Sequence, residues 1–571
     1  MMAGAPDSAR ANLPILLAGG GLAVYALTFA SSYDQRLLTI SGIYVIMVLG
    51  YQFIFGHAGA LSLAQGAFFG VGAYVTGILG SQFGAGFLAT FPLSIAVAGG
   101  LALAVAFPVL RLASHYFALA TLALSQLLLL IAVNWEPVTG GANGLPGVPP
   151  ITIGDWRVAR GTPLLVFVWV LAFAAILIAR WQFSPRRVAM FTVMRDSPLA
   201  VAAFGIDPGL LRLRAFLLSA AFGGAAGALF VHTNRVVSPE TLGFGIMVTC
   251  LTMTVVGGRL RISGAIIGAL LLTHLPEWFR GLDEYYLVAV GVLLLAMVVF
   301  VPDGLASFIK RVPTGYRPRN SSLVKPAPVP NPASDAPAPA LAVQAVSKRY
   351  GGIQALDNVG LSINPGEIVG LIGANGAGKT TLANIVSGLD RPDHGTLFSR
   401  GLDLARTPPT AIARHGVART FQTPQLPDML SVRDAVETAA ASATVRPDAE
   451  AILADCGLSE NTDAGCGTLP HGVRRRVEIA RALAGAPYLL VLDEPAAGLA
   501  PEEQLEIAAI LRARAARGLA VLIIDHNLYF LRPLATRLAC LDSGCLIANG
   551  PVEAVLADQA VRDAYFGLVT P

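Results

Sequence analysis

Residues 373–381, with the sequence GANGAGKTT, constrain the fold of this chain more than any other segment. They lie between two apolar runs, so the local order is strand, glycine-rich loop and helix. The pattern G-x-x-x-x-G-K-[ST] of a phosphate-binding loop is filled by Gly373, Gly378, Lys379 and Thr380. Glycines let backbone N–H groups turn toward phosphates at a helix N-terminus. A glycine turn before an ordinary helix would not need the lysine, which adds positive charge, or the threonine, whose hydroxyl suits Mg²⁺. The segment predicts a nucleotide site in an α/β domain.

The first 300 residues have the composition of a membrane domain. The 571-residue chain is 54% hydrophobic and 13% charged, whereas soluble proteins average about 25% charged residues. Apolar runs of about 20 residues, the length that crosses a bilayer, recur from Asn12 to Pro302. A soluble enzyme with buried helices would carry more charge. We predict about ten spans, the shorter ones being alternatively re-entrant, at residues 12–30, 37–55, 59–79, 88–110, 114–134, 163–181, 214–233, 243–258, 262–276 and 285–302.

Basic residues predict which loops face the cytoplasm. The first dozen residues lack the pattern of a secretory signal, so we expect a retained cytoplasmic N-terminus. The inside loops then contain Arg111, Arg186, Arg187, Arg195, Arg212, Arg214, Arg259, Arg261, Lys310 and Arg311. The outside loops contain Asp34, Glu136, Asp155, Glu277, Asp283 and Glu284, with Arg36, Arg157, Arg160 and Arg280. An even number of crossings places the nucleotide domain in the cytoplasm.

Composition also defines the boundary between the two halves. Residues 311–340 alternate proline with alanine, serine and valine, which is typical of a semi-rigid spacer without a core. We therefore predict a transmembrane domain at 1–310, a linker at 311–340 and a nucleotide-binding domain at 341–571. The net charge of +4 argues against a nucleic-acid surface. The five cysteines have no zinc spacing and an odd count, which argues against metal and disulfide use.

Two further features of the first half concern helix packing and the cytoplasmic loops. Small residues recur at helical spacing in 66–72 and 223–227, which favours close approach of membrane helices. The longest inside loop, 183–214, predicts a short helix at 186–195 followed by a small-residue segment ending at Gly205. This loop suits insertion into a groove of another domain, or alternatively lies on the membrane surface.

Downstream of the phosphate-binding loop, polar residues follow apolar strands in a recurring order. Residues 488–492 are apolar and lead to Asp493 and Glu494, the order of a carboxylate that reaches Mg²⁺ followed by one that polarises water. Residues 520–524 lead to Asp525 and His526. Upstream of the loop, Tyr350 has the position of an aromatic residue that stacks on adenine, although an isolated tyrosine is more often a surface or core residue.

Together these motifs resemble the ATPases of ABC transporters over nearly all of residues 341–571. The resemblance implies that Gln422, Glu494 and His526 are catalytic, with Glu494 as general base, and that ATP and Mg²⁺ are bound. It implies a metal site of Thr380, Gln422 and Asp493, and a signature of Leu469, Pro470, His471, Gly472 and Val473. It implies nucleotide contacts by Tyr350, Gly373, Asn375, Gly376, Gly378, Lys379, Thr380 and Thr381.

Both halves resemble one subgroup, the importers of branched-chain and other hydrophobic amino acids. Residues 418–422, 477–482 and 495–499 resemble its ATPases, and residues 59–63, 67–74, 115–122 and 139–144 resemble one of its permeases. The resemblance implies a membrane all-α permease domain fused to an α/β P-loop ABC ATPase domain. It also implies import across the bacterial inner membrane, with an extracytoplasmic solute-binding protein, a second permease and a second ATPase as partners.

Three alternatives remain at this point: an exporter half-transporter, a urea or amide importer of the same architecture, and an ABC ATPase outside transport. The signature departs from the family because Pro470, His471 and Val473 replace serine, glycine and a polar residue, and Ala500 stands where an aspartate or asparagine is expected. The sequence does not distinguish a homodimer from a heteromer.

Overall fold

The computed structural model describes residues 31–112, 114–196, 201–202, 205–279, 285–308, 338–426, 428, 430–441, 443 and 447–566. The predicted span 12–30, most of the predicted linker 311–340, and Arg280, Asp283, Glu284, Lys310 and Arg311 lie outside these residues. The described residues form two compact units. One lies within Met1–Ser184 and Gly209–Asn320, and the other lies within Pro185–Pro208 and Ser321–Pro571.

The first unit is helical, as expected of long uncharged runs that must pair their backbone groups within one segment in lipid. The helices up to residue 300, of which α6 belongs to the second unit, are Ser32–Tyr51 (α1), Gln65–Phe83 (α2), Phe87–Val109 (α3), Ser114–Asn134 (α4), Thr162–Gln182 (α5), Pro185–Asp196 (α6), Pro208–Asn234 (α7), Phe244–Gly257 (α8), Ile262–Trp278 (α9) and Tyr286–Phe300 (α10). Each predicted span from 37–55 onward coincides with one of them, which confirms the helical permease architecture. Among the described residues, five helices are long and apolar enough to cross a membrane, and three shorter ones are apolar.

Two of these helices differ from the prediction in the region that joins them, between residues 51 and 65. The helix α1 continues through a π-helical turn, Gln52–His57, and α2 begins at Gln65 rather than at residue 59. The side chain of Gln52 holds the π-helical turn in place, because its Nε2 donates to the carbonyl oxygens of Gly258 at 3.0 Å and Arg261 at 2.8 Å. Gly59 adopts φ +69°, which no continuous helix accommodates.

The helices α2 and α7 approach each other backbone to backbone, as the small-residue spacing predicts. A Cβ on Gly72 would lie 2.2 Å from the carbonyl oxygen of Gly224, and one on Gly227 would lie 1.9 Å from that of Phe69. Within the same unit, Leu145–Pro146 pairs with Val236–Val237 and Thr152–Ile153 pairs with Trp156–Arg157, all antiparallel.

The second unit is an α/β domain with two sheets. Its strands are Leu341–Tyr350 (β1), Ile353–Ile363 (β2), Ile368–Gly373 (β3), His394–Ser399 (β4), Leu402–Asp403 (β5), Val417–Arg419 (β6), Leu489–Asp493 (β7), Ala520–Ile524 (β8), Arg537–Asp542 (β9) and Cys545–Gly550 (β10). Its remaining helices are Lys379–Val386 (α11), Pro409–His415 (α12), Val432–Ala440 (α13), Ala449–Asp455 (α14), His471–Ala484 (α15), Pro501–Ala515 (α16), Leu528–Leu534 (α17), Val552–Ala557 (α18) and Gln559–Phe566 (α19).

The larger sheet has the order β6-β7-β8-β3-β9-β10 and is parallel except for the hairpin of β9 and β10. The smaller sheet, β2-β1-β4-β5, is antiparallel. Every residue of β3, β7 and β8 is buried, as expected of parallel strands covered on both faces. The carboxyl ends of β3, β7 and β8 therefore meet at one edge, where ligands of open α/β sheets bind.

Candidate functional site

The glycine-rich loop connects β3 to α11 at that edge. Gly376 and Gly378 adopt φ +85° and +100°, and Gly378 is the N-cap of α11. A Cβ on Gly378 would lie 2.4 Å from the carbonyl oxygen of Ala355. Only glycine fits there, so the loop keeps the close backbone curl that a phosphate cradle requires.

The polar side chains of the loop lie around this curl. The Nζ of Lys379 donates to the carbonyl oxygens of Gly373 at 2.7 Å and Ala374 at 2.8 Å. Burial lowers the pKa of Lys379, and the charges of Glu494 and Asp493 act in the opposite direction. Asn375 and Thr380 are exposed and Thr381 is half-buried. The loop thus keeps exposed polar side chains beside a lysine that faces two carboxylates.

The structure brings Gln422, Glu494 and His526 together. The Nε2 of Gln422 donates to Oε2 of Glu494 at 2.9 Å, and Nδ1 of His526 lies 3.8 Å from Oε1 of Glu494. Glu494 follows β7 at φ +46°, a conformation that non-glycine residues rarely adopt and that is found at functional sites. His526 is 63% exposed, so its ring is accessible to a ligand at the sheet edge.

Asp493 is held by an arginine whose role the sequence did not predict. The Nη2 of Arg419 lies 3.1 Å from Oδ2 of Asp493, and the two side chains are 3% and 8% exposed. Arg419 also donates to Oδ1 of Asn384 at 2.7 Å and Oγ of Ser387 at 2.9 Å. Burial raises the pKa of Asp493 although Arg419 opposes the shift. The position of Arg419, at the end of β6 and directly before Thr420, Phe421 and Gln422, was the sequence feature that could have predicted this contact.

A second buried network connects α15 to the backbone of residues 421–422 and of Glu494, and it too was not predicted. Arg475 Nη1 donates to the carbonyl oxygen of Phe421 at 2.7 Å and to Oε2 of Glu478 at 2.7 Å. Arg475 Nη2 donates to the carbonyl oxygens of Gln422 at 2.6 Å and Glu494 at 3.2 Å. The charged side chains are 0% and 1% exposed. Arg475 therefore fixes the backbone on both sides of the Gln422–Glu494 hydrogen bond.

The signature residues lie at the start of α15, away from these contacts. Pro470 is the N-cap of α15 and provides no side-chain hydrogen bond. The Nε2 of His471 lies 3.3 Å from the carbonyl oxygen of Ala497, while Leu469 and Val473 pack against the core. A Cβ on Gly472 would lie 1.9 Å from Oε1 of Glu503. The start of the helix thus offers backbone N–H groups but no hydroxyl.

Tyr350 lies at the end of β1 with 45% of its surface exposed. Its hydroxyl donates to Asp390, and the Nζ of Lys348 lies 5.2 Å from the ring centroid. One edge of the ring is therefore fixed by a carboxylate while the ring remains accessible. Among the described residues, no group of three or more histidine, cysteine, aspartate or glutamate side chains could hold a metal ion, so the predicted set of Thr380, Gln422 and Asp493 relies on a hydroxyl and an amide beside one carboxylate.

Within the second unit, the segment 185–208 packs against the ATPase helices. Met190, Val193, Val201 and Ile206 face Ala435, Thr438 and Ala439 of α13 across a small apolar cleft. The Nε of Arg414 donates to the carbonyl oxygen of Gly205 at 2.7 Å. Gly205 adopts φ +73°, and a Cβ there would lie 2.7 Å from Cγ of Arg414. The predicted helix 186–195 is present as α6, whereas residues 197–200 and 203–204 of the loop lie outside the described residues.

Comparisons with known proteins place both halves in transporter families. The family described as branched-chain amino acid transport system, permease component, matches residues 35–302, and the ABC transporter family matches residues 356–497. The permease protein LivM of Escherichia coli strain K12 is 29% identical over 47% of this chain and 69% of its own length. The ATP-binding protein LivG of the same strain is 35% identical over 40% of this chain and 98% of its own length.

Two further proteins, like LivG, are similar to the second half of the chain. The lipopolysaccharide export ATP-binding protein LptB of Acidithiobacillus ferridurans is 37% identical over 40% of this chain and 96% of its own length. The solved ADP conformation of an ATP-binding cassette is 31% identical over 40% of this chain and all of its own, with a TM-score of 0.37. The chain thus belongs to the ABC transporters of the branched-chain amino acid transport family, with a permease part and a nucleotide-binding, ATP-hydrolysing part in one polypeptide.

Proposed function

We propose that this chain uses ATP to import branched-chain or related hydrophobic amino acids, or related amides, across the bacterial inner membrane. The observation that carries the proposal is that its two halves match two components of one named transport system, a permease and an ATP-binding protein. We take residues 1–310 as the permease, 311–340 as a linker and 341–571 as the ATPase. The family matches at 35–302 and 356–497 support these boundaries.

The residues of the loop 373–381 would bind the phosphates of ATP. The positive-φ glycines support this role because they let backbone N–H groups converge, and Lys379 would place its ammonium near the terminal phosphates. Asn375, Thr380 and Thr381 would add side-chain donors. Tyr350 would stack on the adenine with the exposed part of its ring.

Glu494 would act as general base toward the attacking water. The Gln422 amide at 2.9 Å orients the carboxylate, and His526 lies close enough to contact the γ-phosphate. Hydroxyl, amide and carboxylate oxygens are the donors that Mg²⁺ prefers, so Thr380, Gln422 and Asp493 fit this ion. A bound Mg²⁺ would neutralise phosphate charge. Arg419 holds Asp493 in position by the ion pair at 3.1 Å.

The motion that follows ATP binding would be transmitted to the permease through the segment 185–208. Its apolar contacts with α13 and the Arg414–Gly205 hydrogen bond tie it to the ATPase, and α7 follows it directly in the chain. The chain provides one phosphate-binding loop and one signature. A closed site in this family uses two cassettes, so we expect a second ATPase, with a second permease and a solute-binding protein to deliver the substrate.

The experiment is uptake of radiolabelled L-leucine by vesicles that contain this chain and its partner chains. We expect ATP-dependent uptake from the side of the binding protein, and Glu494→Gln should abolish ATP turnover while ATP binding persists. Outward transport would support the exporter alternative, and uptake of urea or acetamide without L-leucine would replace the substrate class. Normal ATP turnover in Glu494→Gln would overturn the assignment of the general base.

A further inference from the structure

The first unit contains a polar cavity of about 400 Å³ between the ends of three membrane helices. It lies at the start of α1, the start of α5 and the end of α7. Six of its lining residues matter here: Gln35, Arg36, Thr39, Arg160, Thr233 and Asn234. Such a volume accommodates a small solute, and the lining combines hydroxyl and amide side chains with two arginines.

Two arginines outside the lining, Arg157 and Arg235, add positive charge near this cavity. Burial and the nearby charges of Arg160 and Arg157 lower the pKa of Arg235, which directly follows α7. In the described part of the chain, no carboxylate forms an ion pair with Arg36, Arg160 or Arg235. Grouped like charges that form no ion pair repel one another, and a bound anion would reduce that repulsion.

Two further observations indicate that these arginines are not incidental. The cavity lies at the end of the bundle that the basic-residue distribution predicts to face outward, where arginine is disfavoured. In addition, Arg235 adopts φ +62°, and its carbonyl oxygen accepts a hydrogen bond of 3.3 Å from the N–H of Val148. A strained non-glycine residue that the surrounding backbone holds in place is typical of functional sites.

We propose that this cavity, the arginine vestibule, binds a carboxylate on the outer side of the permease. Arg36 and Arg160 would hold the carboxylate through guanidinium hydrogen bonds, and Thr39, Thr233 and Asn234 would bind the rest of a polar head group. The vestibule would then receive the α-carboxylate of the solute before it enters the permease. The identity of that solute as an amino acid rests on the proposed function, whereas the carboxylate site does not.

The test is binding to the full-length chain in phosphatidylcholine nanodiscs, measured by saturation-transfer NMR titrations. The probes are L-leucine, L-leucinamide, which lacks the carboxylate, acetate and inorganic phosphate. We expect L-leucine to bind about tenfold or more tightly than L-leucinamide, since a hydrogen-bonded charge has been removed. Arg36→Gln and Arg160→Gln should each weaken L-leucine binding by a similar factor.

Three controls keep the result specific. Arg111→Gln removes an exposed arginine shortly after α3, on the side that the basic residues predict to face the cytoplasm, and it should leave binding unchanged. Arg36→Lys and Arg160→Lys keep the charge and should retain part of the affinity. Elution volume on size exclusion and the basal ATPase rate confirm that each variant is folded.

Each outcome decides one part of the proposal. The proposal of the arginine vestibule is wrong if L-leucine and acetate bind equally well to Arg36→Gln, Arg160→Gln and the unaltered chain. It is also wrong if neither probe binds to the unaltered chain. Two outcomes overturn the carboxylate assignment. In the first, inorganic phosphate is the only probe that binds in an arginine-dependent way. In the second, the arginines retain phosphatidylglycerol in mixed nanodiscs and no carboxylate binds. Arginine-dependent acetate binding without L-leucine binding supports the site and contradicts the proposed amino-acid substrate.

Discussion

Arg475 shows how one buried side chain can fix the backbone around the Gln422–Glu494 hydrogen bond. It contacts the carbonyl oxygens on either side of the Gln422–Glu494 hydrogen bond and pairs with Glu478 inside the protein. The desolvation cost of such a buried pair is recovered only when every partner is present. Glu478 in turn accepts a hydrogen bond of 3.1 Å from the backbone N–H of Phe421. Arg475 and Glu478 therefore both bind the backbone of Phe421 as well as each other.

Arg475→Met should lower both stability and turnover. Removal of Arg475 leaves the buried Glu478 without its hydrogen-bonded counter-charge, and the charge of Arg481 and the N–H of Phe421 are then left to compensate it. Loss of one partner of a buried pair costs about 3–5 kcal/mol. We expect a lower kcat for ATP hydrolysis with little change in ATP affinity, because the loop 373–381 is untouched. Thermal unfolding and steady-state kinetics measure the two effects.

Arg476→Met is the matched control, since Arg476 forms a 3.3 Å pair with the half-exposed Glu506 and such pairs contribute about 1 kcal/mol or less. The double variant Arg475→Met, Glu478→Met removes both charges of the pair but also takes a counter-charge from the buried Arg481. It should therefore recover part of the stability and none of the turnover. Full turnover in the double variant would contradict the positioning role.

The sequence predicted candidate site residues that lie in backbone motifs. It missed residues whose position depends on tertiary packing. Lys379 and Glu494 follow strands in a fixed order, so the pattern alone located them. Arg474, Arg475 and Arg476 are identical in type and consecutive, yet only Arg475 is fully buried. Which member of such a run faces the interior depends on tertiary contacts from residues 421–494, which no local pattern contains.

Between elements, the α2–α7 contact depends on the absence of side chains at the crossing. Gly227→Ala places a Cβ 1.9 Å from a carbonyl oxygen of α2, and backbone cannot give way as a flexible side chain would. We expect a loss of about 1–3 kcal/mol, as for other overpacked sites. Thermal unfolding in nanodiscs should show a lower midpoint.

Gly100→Ala in α3 is the control for this prediction. Gly100 is also helical, and no atom lies within 4 Å of the position its Cβ would take. The two substitutions add the same methyl group with the same gain in helix propensity. Equal midpoints for the two variants would show that the helices are not in the predicted contact.

The segment 185–208 gives a prediction about coupling. Gly205→Ala would strain the φ of +73° and displace Arg414, whose Cγ lies 2.7 Å from the new Cβ. We expect ATP hydrolysis to continue while L-leucine uptake per ATP falls on the order of tenfold or more, as for displacements of about 1 Å at sites that transmit geometry.

Gly518→Ala is the matched control, because Gly518 has φ +95° with no neighbour within 4 Å of its Cβ position. It introduces comparable backbone strain without a clash. If both variants reduced uptake equally, backbone strain rather than the contact with Arg414 would be the cause.

The elements themselves were largely predictable, because long apolar runs indicated the membrane helices and short apolar runs before polar or glycine residues indicated the buried strands. The π-helical turn at Gln52–His57 was not, since it depends on hydrogen bonds from Gln52 to carbonyl oxygens more than two hundred residues away in the chain. The later start of α2 accompanies a local feature, the positive φ of Gly59, which the apolar run did not reveal.

The departures in the signature give a prediction about whether one transporter contains one or two copies of this chain. A homodimer would place Pro470 opposite each ATP, and proline offers neither a hydroxyl nor an N–H at the N-cap of α15. A heteromer would place one ordinary signature opposite the loop 373–381 of this chain. The partner's signature, rather than that of this chain, would then support hydrolysis at Glu494.

Restoring the hydroxyl at position 470 should therefore raise the ATPase rate. The purified chain alone should hydrolyse ATP slowly, and Pro470→Ser should raise that rate by about tenfold or more, the value of one hydrogen bond to a charged group. The matched control is Pro501→Ser, the same exchange at the start of α16, where Pro501 occupies a first-turn position. A fast rate in the unaltered chain, unaffected by Pro470→Ser, would show that two copies of this signature suffice and that the transporter needs no second kind of ATPase.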